Sequence, residues 1–94
     1  MILCAAVKLD MGDINNTSLI VPGRRHGDCW DVIRQLNDNW KGAAQIEGFL
    51  DHNGKFYDRQ HALAHATACG QLNKTTLWYK EDHEDTELYS EDLY

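Results

Sequence analysis

Proline occurs once in this sequence, cysteine three times, and carboxylates outnumber basic side chains fifteen to nine. Cys4, Cys29 and Cys69 are odd in number and widely spaced, which argues against a secreted disulfide scaffold and for free thiols in a reducing compartment. A formal net charge of −6, with acids crowded toward the C-terminal end, argues against a non-specific grip on duplex nucleic acid. Met1 to Val7 is apolar, but Lys8 and Asp10 end the run and no basic segment precedes it, so it reads as a strand rather than a signal or a membrane span. There is no glycine-rich phosphate loop, serine elbow or dinucleotide fingerprint, and no cofactor is expected.

What the sequence does have is large apolar side chains in a short chain. Three Trp, four Tyr and two Phe in 94 residues are many to hide in one small core, so a single domain that self-associates is expected. Ile2 to Leu9 and Ser18 to Val21 are apolar stretches joined by the Gly-, Asp- and Asn-rich segment 10–16, which predicts an opening β-hairpin. Pro22-Gly23 ends the second strand. Cys29, Trp30, Ile33, Leu36 and Trp40 then recur at helical spacing, predicting a helix capped by Asp28 or His26 and closed by Lys41-Gly42. Ala43 to Leu50 returns to an extended pattern. Asp51-His52-Asn53-Gly54 is a turn, so Gln45 to Leu50 should pair with Lys55 to Tyr57.

Asp58 is placed to cap a second helix, which carries a narrow stripe of Ala62, Leu63, Ala66 and Cys69 and stops at Gly70. Leu72 to Tyr79 reads as a final strand and Lys80 to Glu87 as a solvated acidic stretch. Leu88 to Tyr94 is expected to dock on the core or on a neighbouring subunit. The predicted class is α+β: an antiparallel sheet built from two hairpins with two helices packed on it, residues 1–79 forming the core and 80–94 an acidic tail.

Arg24-Arg25-His26 lies between a strand end and a helix start, where free backbone N–H groups and the helix dipole favour anions and guanidinium groups add bidentate donors for phosphate. The same arginines could instead pair with surface carboxylates. Phe49, Phe56 and Tyr57 alternate with polar residues, so a ring beside Arg59 is a candidate for stacking on a base, the alternative being plain core packing. His61, His65 and Cys69 fall at i, i+4 and i+8, a spacing that could present metal ligands. However, His-Ala-Leu-Ala-His lacks the glutamate base of the zinc-protease motif. Cys29 near a helix start is either an activated nucleophile or a buried small hydrophobe.

The segments Gly23-Arg24-Arg25-His26-Gly27-Asp28-Cys29, Gly48-Phe49-Leu50, Gly54 to Arg59 with Ala62, Gly70-Gln71 and Leu88 to Leu93 resemble those of short phage proteins of the first-described type of Thoeris anti-defence proteins. That resemblance implies a homo-oligomer, a dimer or trimer of dimers, in the bacterial host cytoplasm. Such a protein sequesters a cyclic ADP-ribose signal, and in some members cyclic oligonucleotides, without degrading it. It further implies that Arg24, Arg25 and His26 grip phosphates, that Phe49 stacks on adenine and that Arg59 adds a phosphate contact. Tyr57 completes the expected ligand-binding set, with no catalytic or metal residues. The chain departs from the pattern at His61, where a glutamate is usual, at Asp51-His52 before the turn, and in the acidic insert before Leu88. The rival readings are an acidic inhibitor directed at a host enzyme, and a small metal-dependent hydrolase using His61 and His65.

Overall fold

Alternation of apolar and polar residues, closed by tight turns, sets the sheet. In the computed structural model, which describes residues 1–14, 17–36, 40 and 42–93, β1 (Ile2–Asp10) and β2 (Ser18–Gly23) form the first antiparallel hairpin. β3 (Ala44–Asp51) and β4 (Phe56–Asp58) form the second. The hairpins join through antiparallel β1 and β3, with Val7 opposite Glu47 and Ala5 opposite Phe49, giving the order β2-β1-β3-β4. At the β3–β4 turn, Asp51 Oδ1 accepts from the N–H groups of Asn53 and Lys55, each at 2.9 Å, and Gly54 takes the left-handed conformation (φ 80°).

One sheet face carries Ala5, Val7, Leu9, Val21 and Phe49 into the core, where they meet Cys29 of α1 (His26–Ile33) and Ala62 and Ala66 of α2 (Arg59–Ala68). The two alanines are fully buried and let the α2 backbone lie close to the sheet. Asp58 caps α2 by accepting from the His61 N–H at 2.8 Å. Gly70 (φ 67°) ends it, with the Gly70 and Gln71 amides bonded to the carbonyls of Thr67 and Ala66. Cys69, expected on the buried stripe, is exposed; it is the C-cap residue, one past the last residue of α2.

Two expectations about secondary structure are corrected. α1 ends at Ile33, short of Trp40: the Gln35 and Leu36 amides bond three residues back, to Val32 and Ile33, tightening the chain out of α-helical geometry. The expected closure at Lys41-Gly42 lies partly outside the described residues. Residues 72–79 do not form a strand. Asn73 accepts from the Thr76 N–H at 2.7 Å and starts α3 (Lys74–Asp82), so a local cap outweighs the β propensity of Thr75-Thr76-Leu77-Trp78-Tyr79.

The acidic segment after α3 folds back over the core. Leu88 is fully buried and its N–H bonds to the Arg59 carbonyl at 3.0 Å. A single 3-10 turn follows at Ser90–Asp92. Lys80 anchors this strap from beneath: its ammonium is buried and donates to the Glu87 carbonyl (2.7 Å), Asp92 (2.8 Å) and Asp85 (3.2 Å).

Candidate functional site

The start of α1, the start of α2 and the strap converge on a cleft of about 190 Å³ lined by Arg25, His26, Gly27, Arg59, Tyr89, Ser90 and Glu91. Arg25, not Asp28 or His26 as expected, is the N-cap residue of α1, because the helix already begins at His26; the Arg25 N–H is taken by Asp28 Oδ2 at 3.3 Å. Arg59 donates to the Leu88 carbonyl at 2.8 Å and to Glu47, while its guanidinium lies 5.1 Å from the centre of the Tyr89 ring. The hydrogen bond from Arg59 holds the Glu47 carboxyl below the usual carboxylate range, and the Trp30 indole N–H, 3.2 Å from Glu47, acts in the same direction. Arg59 also walls a second cleft of about 420 Å³, whose lining includes Glu47, Asp58 and Glu87. One guanidinium thus separates a cleft flanked by arginines from a larger one rich in carboxylates.

His26 is buried, and both ring nitrogens are occupied. Nε2 lies 2.8 Å from the Gly48 carbonyl, which can only accept, so Nε2 carries the proton. Nδ1 must then accept from the Ser90 hydroxyl, 2.7 Å away, while the same oxygen takes the His26 backbone N–H at 3.3 Å. Desolvation pushes the His26 pKa below the ordinary 6.5. The unfolded chain therefore takes up a proton at this residue before the folded protein does. Its contribution to stability is complete above about pH 6.5 and is lost as pH falls from there through the lower folded value. Urea titrations from pH 8 to 5 should show this loss, and it should be absent in His26→Gln.

The site residues expected from sequence are not all brought together. Arg25, His26 and Arg59 meet at one cleft; Arg24 is exposed and is not part of its lining. Phe49 is fully buried, its ring meeting His26 edge-on at 5.0 Å and 88°, so it has no face to offer adenine. The core claims it because Phe49 shares the inward sheet face with Ala5 and Val7. His26 is likewise a buried bridge rather than an open phosphate ligand. Tyr57 bonds to Asp51 at 3.1 Å, stacks on His65 at 4.8 Å and lies outside the cleft. The ring beside Arg59 is instead Tyr89, from the strap. Sequence spacing marked that segment as able to dock but not where, and Glu47 carried no local signal.

The alternative chemistries separate as well. Cys29 is fully buried and desolvation pushes its thiol up to about 11, the opposite of an activated nucleophile. At neutral pH, maleimide should label exposed Cys69 in the native protein and reach Cys29 only on unfolding, a difference that peptide mapping would read directly. His61 turns back to Asp58 at 2.8 Å, whereas His65 Nε2 faces the N-terminal amine at 3.0 Å and the Cys69 sulfur at 3.7 Å, so only two of the three candidate ligands on α2 come together. Among the described residues no group of three or more His, Cys, Asp or Glu side chains is arranged to hold a metal, and no helix is long and apolar enough to cross a membrane.

The fold and the cleft define a class: an α+β protein in which Arg25 and Arg59, far apart in sequence, flank one cleft walled on one side by a C-terminal strap. The chain belongs to the phage T4 y16D protein family, whose profile matches residues 1–94, and it is thus a phage protein. No curated protein and no solved structure matches it.

Proposed function

We infer that this protein binds a phosphate-bearing nucleotide signal and sequesters it without turnover, in the cytoplasm of the infected bacterium. The observation that carries this reading is the convergence of Arg25 and Arg59 on one cleft at the start of α1, in a chain of net charge −6. The 190 Å³ cleft suits a phosphate group rather than a whole nucleotide. The adjoining 420 Å³ cleft offers Glu47, Asp58 and Glu87 as acceptors for sugar hydroxyls or an exocyclic amine. Together they fall in the size class of small-molecule sites. The Tyr89 ring, beside Arg59, supplies the stacking surface first sought at Phe49.

A cyclic ADP-ribose isomer or a cyclic oligonucleotide has this combination of groups. Sequestration at nanomolar strength requires about 12 kcal/mol, more than two shallow clefts on one chain supply, so a second copy closes the site in this reading. The sheet face turned away from the helices supports self-association, since Cys4, Leu50 and Phe56 lie in one register row and Ile20 and Ile46 flank Lys8 in another.

The test incubates the protein with cyclic ADP-ribose isomers and cyclic oligonucleotides, removes free compound, denatures the protein and identifies what is released by mass spectrometry. Intact compound in stoichiometric amount is expected. Arg25→Ala should weaken retention at least about tenfold with an unchanged melting temperature, and Arg24→Ala should do little. A converted product would make the protein an enzyme, and no retained nucleotide would end this reading.

A further inference from the structure

On the side of α2 away from the sheet, the seam with α3 is open. Two cavities of about 580 and 460 Å³ run along it and share Leu63, Thr67, Asp85 and Thr86. Their apolar floor continues through Ala64 and Ala68 on α2 and Leu77 on α3. The rim has one sign of charge. Glu81 and Glu84 line the groove, five of the seven residues from Glu81 to Glu87 are acidic, and the one lysine at the groove, Lys80, is buried against Asp85 and Asp92. Trp78, three residues before Glu81 on α3, is 64% exposed and adds an aromatic surface beside the acidic rim.

We propose that this groove is a docking site for a basic amphipathic helix of another protein. An apolar floor under an acidic rim is complementary to a helix with one apolar stripe flanked by lysine or arginine. The ten residues of α2 span about 15 Å, close to three turns of such a partner. The charge selects against other occupants, since nucleic acids and anionic lipid surfaces are repelled by the acidic rim. The groove lies apart from the arginine-flanked cleft and has none of that cleft's lining residues, so this proposal does not depend on nucleotide binding.

The test is a fluorescence-anisotropy titration of the full chain with a labelled peptide of about 14 residues, leucine on one helical face and lysine on the other, long enough to cover α2. A control peptide carries glutamate in place of lysine. The basic peptide should bind, more weakly as salt rises, and the acidic one should not. Ala64→Arg places a large cation in the floor at an exposed helix position, and it should weaken binding at least about tenfold with an unchanged circular dichroism spectrum. Glu81→Lys combined with Glu84→Lys should do the same. Loss of binding on charge reversal but not in Ala64→Arg would mean that the peptide sits on the acidic stretch and not in the groove, and would overturn the proposal. Equal binding of both peptides, or of neither, would overturn it too.

Discussion

Gly48→Ala is expected to cost about 3 kcal/mol or more, a large part of the total stability of a domain this small. A Cβ built on Gly48 would stand 2.0 Å from the Tyr57 carbonyl oxygen and 2.6 Å from Cζ of the Phe56 ring. The ring can swing away, but the carbonyl belongs to the backbone of the paired strand, with Gly48 opposite Asp58 in the β3–β4 register. Relief therefore requires β4 to move, and with it the Asp58 cap of α2. The Gly48 carbonyl also receives the His26 Nε2–H, so the same movement loosens the start of α1. Thermal unfolding should show a fall on the order of 15 °C. Gly27→Ala is the control: its Cβ would meet nothing within 4 Å, and alanine is the better helix former, so that variant should melt at or slightly above the parent temperature. An unchanged melting point for Gly48→Ala would show that β4 is not paired as described.

Lys80→Met should have an effect of similar size for a different reason. Its ammonium is desolvated, which by itself would lower the pKa, yet the hydrogen bonds it donates to Asp92 and Asp85 outweigh burial and hold it above the ordinary 10.5. Methionine keeps the aliphatic stem but removes the cation that Asp92, Asp85 and the Glu87 carbonyl share, leaving the two carboxylates only the backbone N–H groups of Tyr89 and Glu87. Breaking such a buried arrangement from one side costs about 3–5 kcal/mol. The strap should detach, seen as new protease cuts between Asp85 and Leu93 below the melting transition. Because Tyr89 and Ser90 wall the arginine-flanked cleft, nucleotide retention should fall in parallel. The raised pKa also sets the sign of an alkaline effect: the contribution of Lys80 is complete below about pH 10.5 and is lost as pH rises through the higher folded value. A Lys80→Met protein as stable and protease-resistant as the parent would show that the ion cluster does not hold the strap.

Features that depend on a few neighbouring residues were legible along the chain. The two hairpins follow from apolar alternation interrupted by Asp-, Asn- and Gly-rich turns, and the limits of α2 follow from an Asp58 side chain that reaches the His61 N–H and a Gly70 that adopts positive φ. Arg25 was recognisable as an anion-binding candidate because a guanidinium beside a helix start has that chemistry wherever the helix lies, whereas Arg59 entered as a phosphate contact only through the family resemblance.

Tertiary packing decided the rest. Whether Phe49 stacks on a ligand or fills the core depended on which sheet face meets α1 and α2. His26 looked like a phosphate ligand until Gly48, 22 residues away, and Ser90, 64 residues away, took both of its nitrogens. Tyr89 reaches Arg59 because Lys80 collects two carboxylates and a carbonyl from the strap. Each of these outcomes turns on a contact between groups distant in sequence, whose strength comes from excluding water, and water is excluded only once the sheet, the helices and the strap have come together.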